Sequence, residues 1–261
     1  MKILVLGHKG MLGRTVTRFF TQETEHEILT ISTRWREPNF AESISDLAPD
    51  LIINCIGKIP QKQPVESEYT FLNVELPRFL ETLDIPIVHP STDCEFKGDL
   101  KPGLAYAKTS LRDADDIYGM SKATISEEIE ATFKNTKIIR TSIIGHEENT
   151  SLSLLDWFLS QTDSTRGYTN HFWNGITTLE WAKQCANIIE NWDSLPTLNQ
   201  LATTKHYSKF EILNVAKQVY QKNIEIIPFA TEVTVNKCLT SDKEIQELAD
   251  QLVELKAFYN K

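Results

Sequence analysis

The sequence predicts an α/β protein built on a doubly wound parallel sheet, and three observations lead there. Short apolar runs alternate with stretches of helical periodicity through the first half of the chain. A glycine-rich turn joins the first run to the first helix. The runs are apolar along their length instead of alternating with polar residues, as strands covered on both faces must be.

The elements follow in order. "KILVLG" (2–7) is β-branched and apolar and stops at glycine, so it reads as a buried strand. "MLGRTVTRFFTQE" (11–23) repeats Leu12, Val16, Phe19 and Phe20 at helical spacing. "HEILTIS" (26–32) is a second strand, "SISDLAP" (43–49) a short helix and "DLIINCIG" (50–57) a third, apolar strand. Residues 68–83 read as a helix that Pro77 kinks or restarts, because proline has no N–H to donate. "PIVHPST" (86–92) and "TKIIRTSII" (136–144) are the fourth and fifth strands, with the helix that holds Lys122 between them. After residue 145 the alternation weakens, and amphipathic helices are expected at 153–161, 178–192, 208–221 and 241–259. Two domains result: a sheet domain over 1–145, to which part of 174–195 returns, and a smaller, mostly helical C-terminal lobe over 146–261 that binds substrate.

Composition narrows the function. The 261 residues are 41% hydrophobic, enough for a large core. A net charge of −9 and the absence of a basic stretch weigh against nucleic acid. No run approaches the roughly 20 apolar residues of a membrane span, and the N-terminal run carries no cleavage signal, so a cytoplasmic protein is expected. Cys55, Cys94, Cys185 and Cys238 stand far apart without nearby histidines, which predicts neither disulfides nor a metal site. The expected partner is a small molecule, with at most a second copy of the chain in a homodimer.

Gly7, Gly10 and Gly13, in "GHKGMLG", lie between the first strand and the first helix. Glycines there let a pyrophosphate approach the amides of a helix N-terminus, where the helix dipole favours an anion. Close packing of strand on helix is the other use of the same glycines. The second strand runs into "ISTRWRE", with Ser32, Thr33, Arg34 and Arg36 and no acid before Glu37. Arginine suits the 2′-phosphate of NADP, whereas an acid would hold the ribose of NAD, so NADP(H) is favoured over NAD(H). A solvated basic loop is the alternative.

Tyr118 and Lys122, in "YGMSK", are four apart and share a helix face. A phenol with a reference pKa of about 10 is a usable acid, and a lysine one turn along favours its phenolate. Hydride reduction of a carbonyl needs such a donor, because charge grows on the oxygen as the carbon is reduced. Ser91 and Thr92 end the fourth strand, where a hydroxyl can hold the carbonyl. Taken alone, the pair could equally open an amphipathic surface helix.

"GHKGMLG", "NCIGKIP", "STDCEFKG", "YGMSK" and "RTSIIG", in that order, resemble the extended short-chain dehydrogenase/reductases, and within them the dTDP-4-dehydrorhamnose reductase group. The resemblance is strongest over 1–145 and continues in "GYTNHFWNGITTLEWAK" and "YSKFEILNVAK". It implies a Rossmann-type NADP-binding domain and NADPH-dependent reduction of a keto group on a nucleotide-activated 6-deoxy sugar, for surface-polysaccharide synthesis. It also implies that Thr92 orients the carbonyl, Tyr118 donates the proton, and Lys122 serves both the tyrosine and the nicotinamide ribose. Gly7, Gly10, Met11, Leu12 and Gly13 match the pyrophosphate turn, and Cys55, Ile56 and Gly57 the loop beside the adenosine.

Two departures touch specificity. Cys94 stands where the group has tyrosine, and "CIGKIP" replaces a small-residue run ending in Tyr-Thr. Related dehydratases place an Asp-Glu pair after the threonine; here Asp93 is followed by Cys94, and Glu95, one place late, is expected on the other side of a strand. Dehydration is therefore disfavoured.

Asp93 and Cys94 join Thr92 as expected substrate contacts, with His171 and Trp173 from "NHFWNGITT"; core packing is the equal alternative for that segment. Arg140 is expected in a structural pair, His89 as a satisfied core histidine, and "DADD" (113–116) as a helix cap. A 4-epimerase with retained NAD and a non-catalytic NADP-binding regulatory subunit, like that of methionine adenosyltransferase, are the alternative functions.

Overall fold

The computed structural model describes residues 1–62, 64–148 and 150–260. Its chain segregates into two units that interleave in sequence. The first holds Met1–Ser91, Asp115–Ile139 and Ala182–Asn199; the second holds Thr92–Ala114, Arg140–Trp181 and Gln200–Lys261. The sequence reading places 1–145 in one domain, with part of 174–195 returning to it, and 146–261 in the other.

The first unit is organised by a sheet of β1 (Lys2–Leu6), β2 (Glu27–Thr30), β3 (Leu51–Asn54), β4 (Ile87–Ser91), β5 (Thr136–Arg140) and β10 (Leu198–Gln200), in the order β10-β5-β4-β3-β1-β2. β1 pairs in parallel with both β2 and β3, and β3 with β4. The chain therefore reverses its direction of travel across the sheet between β1 and β3, the switch point where open α/β sheets bind ligands. Helices α1 (Met11–Glu23), α2 (Phe40–Leu47), α3 (Glu66–Tyr69), α4 (Leu76–Glu81), α5 (Ile117–Thr132) and most of α7 (Thr178–Glu190) supply the covering layers. Leu4, Leu6, Ile52 and Ile87 of the strands pack with Phe40, Ile44, Leu76 and Leu80 of the helices in one core cluster.

The predicted helix over 68–83 proves to be three consecutive pieces. A wide π-type turn over Thr70–Glu75 separates α3 from α4, and Pro77 lies in the first turn of α4. Proline is tolerated there because the first-turn amides have no intrahelical acceptor, and so it restarts the helix. The predicted strand over 136–144 also divides. β5 stays in the main sheet, while β6 (Ile143–Ile144) pairs with β9 (Ile176–Thr177) in the second unit.

The second unit carries α6 (Leu154–Ser160), α8 (Lys209–Tyr220) and α9 (Leu248–Tyr259) with small sheets that the sequence reading does not place. β7 (Ser164–Tyr168) pairs in parallel with β12 (Glu225–Phe229). β8 (His171–Trp173) lies between β11 (Tyr207–Ser208) and β13 (Val235–Asn236). α8 opens on a reciprocal cap, Ser208 Oγ accepting from Glu211 N while Glu211 Oε2 accepts from Ser208 N.

α9 begins at Leu248, seven residues later than the predicted 241. Residues before it are held out of a helix by side-chain bonds that compete with one. Asp242 accepts from Gln200 N at 2.9 Å and from Lys108 Nζ at 2.7 Å, and Ser241 Oγ donates to the Lys243 carbonyl.

Candidate active site

In the first unit the site is built on the carboxyl ends of β1, β3 and β4. Gly7 follows β1 with φ +77°, and a Cβ there would lie 2.9 Å from the Cys55 backbone that follows β3, so the turn requires glycine twice over. Gly13 packs α1 on the turn: a Cβ would sit 2.2 Å from the Gly7 carbonyl oxygen. Gly10 is different. It is the N-cap of α1, no side chain caps the helix, and a Cβ would meet nothing nearer than the Gly7 oxygen at 3.4 Å. Met11 is half-buried and Leu12 buried behind the turn. A helix N-terminus with an open approach and no capping side chain fits the diphosphate of a dinucleotide.

Ser32, Thr33 and Arg34 lie beyond the end of β2. Lys9 Nζ donates to Ser32 Oγ at 3.4 Å, and Thr33 Oγ1 is 3.1 Å from Ser43 Oγ. Arg34 is exposed, whereas Arg36 is held by Glu75 and stacked over Phe71, 5.0 Å from its centroid. Cys55 and Ile56 are half-buried; burial pushes the Cys55 thiol far up, leaving it neutral.

α5 delivers Tyr118 and Lys122. Asp116 is its N-cap, accepting from Gly119 N at 2.8 Å, as the acidic run predicts; Asp113 instead accepts from Lys97 N at 2.9 Å. Tyr118 is half-buried, its ring 6.1 Å from that of Tyr69. Lys122 is buried, with Nζ 2.7 Å from the Pro90 carbonyl and 3.1 Å from His89 Nε2. Burial first, and then the Lys122 charge, hold the His89 pKa well below the ordinary imidazole value. His89 Nδ1 is 3.2 Å from Asn54 Nδ2, and Asn54 Oδ1 accepts from Ile56 N. A continuous polar chain therefore joins the lysine to the loop after β3.

A second chain fixes the backbone of the tyrosine. Ser121 Oγ donates to the Tyr118 carbonyl at 2.7 Å and accepts from Asn73 Nδ2 at 3.0 Å, and Asn73 Oδ1 accepts from Lys58 N. Asn54, Asn73 and His89 escaped assignment as site residues. Asn54 and His89 did leave a signal, since each is a polar side chain within an apolar strand and must find a partner there.

In the second unit, Thr92 follows β4 directly. Its hydroxyl donates to Asp93 Oδ1 at 3.0 Å and accepts from Cys94 N at 3.1 Å, capping a single 3-10 turn over Asp93–Glu95. Glu95 is thus on a turn, not on a strand as expected. Its fully buried carboxylate pairs with Arg140 at 2.7 Å and Arg112 at 2.6 Å, which assigns Arg140 the structural role. His171 is half-buried, with Nε2 2.8 Å from Thr231 Oγ1; burial and then the Lys209 charge lower its pKa. Trp173 is 5% exposed in this unit's core. Among the described residues no cluster suits a metal ion, and no helix is long and apolar enough to cross a membrane.

Comparison with known proteins places this architecture. The family model of the RmlD substrate binding domain matches residues 1–237. The spore coat polysaccharide biosynthesis protein SpsK of Bacillus subtilis (strain 168) is 28% identical over 156 residues, which cover 56% of this chain and 54% of the relative, so the match spans about half of that protein. A dTDP-4-dehydrorhamnose reductase from Bacillus anthracis, solved in complex with NADP, superposes with a TM-score of 0.83 over 100% of this chain and 99% of its own, at 16% identity. The Clostridium acetobutylicum counterpart gives 0.81 at 17% identity, covering 100% of both chains. UDP-glucose 4-epimerase from Thermotoga maritima gives 0.76 at 13% identity over 100% of this chain and 99% of its own, so the fold spans more than one chemistry.

Proposed function

The chain belongs to the RmlD substrate binding domain family, and on that premise we propose that it is an NADPH-dependent reductase of a keto group on a nucleotide-activated 6-deoxy sugar, serving surface-polysaccharide synthesis. The observation that carries the reading is the buried Lys122 ammonium, anchored on His89 and the Pro90 carbonyl one helical turn from the Tyr118 phenol. A lysine held this way keeps a positive charge near a phenol and favours the phenolate that remains once the proton has left.

When bound, the nicotinamide nucleotide supplies a hydride to the carbonyl carbon. The open turn around Gly10 holds its diphosphate, and the Cys55–Gly57 loop flanks its adenosine. The exposed Arg34 supports a 2′-phosphate and hence NADP(H). Tyr118 gives its phenolic proton to the carbonyl oxygen as charge develops there, and Thr92 holds the same oxygen with its hydroxyl. Lys122 stabilises the tyrosine and reaches the ribose. Glu95 is not available as a base, because two arginines claim its carboxylate. That argues against a dehydratase.

The test is oxidation of NADPH and of NADH with a panel of dTDP-, UDP- and GDP-linked 4-keto-6-deoxy sugars, with product stereochemistry read by NMR. Stoichiometric NADPH consumption with one nucleotide sugar is expected, and Tyr118→Phe loses it. Equal slow oxidation by wild type and Tyr118→Phe across the panel sinks the reductase reading. A retained NAD and no net consumption would mark an epimerase instead.

A further inference from the structure

A cavity of about 380 Å³ opens in the second unit, and every residue that lines it belongs to that unit. None of them has a part in the proposed reaction. Asn174, Thr203 and Leu239 are its buried floor, and one amide ties the three together. Asn174 Nδ2 donates to the Thr203 carbonyl at 3.0 Å and to the Leu239 carbonyl at 2.8 Å, while Asn174 Oδ1 accepts from Leu239 N at 2.9 Å. Gln200 Nε2 fixes another wall by donating to the Thr240 carbonyl at 2.9 Å. The backbone around the cavity is thus bonded within the chain, and the cavity is formed before any ligand arrives.

The side chains left over on its rim decide what it can hold. Thr204, His206, Lys243 and Glu244 line the cavity, and among the described residues nothing bonds to any of their side chains. His206 is half-buried and the other three are exposed. Burial lowers the His206 pKa, so at neutral pH the ring is uncharged and offers one N–H donor and one acceptor nitrogen. The Thr204 hydroxyl likewise donates and accepts. Lys243 brings one positive charge and Glu244 one negative, a charged donor and a charged acceptor with no surplus for a phosphate. Leu239 and Ala105 add an apolar patch. That combination matches a pyranose, whose hydroxyls both donate and accept and whose C–H face is apolar.

We infer that this cavity is a second, non-catalytic site that binds an uncharged sugar ring. His206 and Thr204 hold its hydroxyls from the turn after β10, Lys243 donates to a sugar oxygen, and Glu244 accepts from a hydroxyl. The site shares no residue with the reaction proposed above and stands or falls separately from it.

The test is titration calorimetry of the full chain with the methyl glycosides of glucose, galactose and rhamnose, alongside inorganic phosphate and glycine. At least one glycoside binds wild type. Lys243→Met weakens it by about tenfold or more, as for a hydrogen bond to a charged group, and His206→Leu by about threefold to tenfold. His206→Gln, which keeps a donor and an acceptor, restores part of the loss, and unchanged NADPH binding shows that these variants fold. Thr92→Val leaves glycoside affinity as it is. Loss of the glycoside in Thr92→Val, with full binding by Lys243→Met and His206→Leu, would put the sugar in the catalytic site. Binding of phosphate or glycine alone would name a different ligand class, and binding of none of the five probes would leave the cavity without a sugar; each of these overturns the inference and leaves the reductase reading untouched.

Discussion

Alanine substitutions at Gly13 and Gly10 separate the two jobs of the glycine turn. A Cβ at Gly13 would lie 2.2 Å from the Gly7 oxygen, 2.7 Å from the Gly7 carbonyl carbon and 3.1 Å from His8 Cα. All three are backbone atoms, so no side chain can swing aside. Restoring ordinary contact moves α1 off the turn by about 1 Å, and in an interior packed like a crystal that costs about 2–3 kcal/mol. For a chain of this size the melting temperature then falls by roughly 4–12 °C. At Gly10 the nearest atom is 3.4 Å from the added Cβ, and the N-cap φ of −80° suits alanine, so the stability cost is about 1 kcal/mol or less. Gly10→Ala instead places a methyl in the approach to the α1 amides and weakens cofactor binding. Calorimetric melting checks the first effect and quenching of tryptophan fluorescence by NADPH the second. If Gly10→Ala melted as low as Gly13→Ala, or bound NADPH as wild type does, the division of labour drawn from these distances would be wrong.

Three further outcomes are expected. Tyr118→Phe lowers turnover by about 10²–10⁴-fold with NADPH affinity retained, measured by single-turnover kinetics against equilibrium binding. Glu95→Gln leaves the fully buried Arg140 without its counter-charge and costs about 3–5 kcal/mol in urea denaturation, where an unchanged midpoint would dismiss the buried pairing. For His89, the folded pKa is depressed below the unfolded value of about 6.5, so below that pH the unfolded chain takes up a proton that the native one refuses. Stability is therefore full above pH 6.5 and falls on acidification, with a slope approaching about 1.4 kcal/mol per pH unit from this residue. His89→Gln flattens that slope in melts between pH 7 and 5; an identical slope in the variant would contradict the buried neutral imidazole.

The sequence by itself determined what depends on neighbours along the chain. Strands β1 and β3 were legible because burial on both faces demands continuous apolar runs, and α1 because Leu12, Val16 and Phe20 recur at helical spacing. The cap at Asp116 and the restart at Pro77 were legible for the same local reason. Tyr118 and Lys122 share a face by helical geometry alone.

Tertiary structure decided what depends on residues far apart in sequence. Lys122 meets His89 across 33 residues, and His89 meets Asn54 across 35. No periodicity carries that information; it arises because parallel pairing brings the carboxyl ends of β3 and β4 side by side, where buried polar groups must satisfy one another. Arg112 and Arg140 likewise come around the Glu95 carboxylate only on folding, whereas the turn that carries it is set locally by the Thr92 hydroxyl.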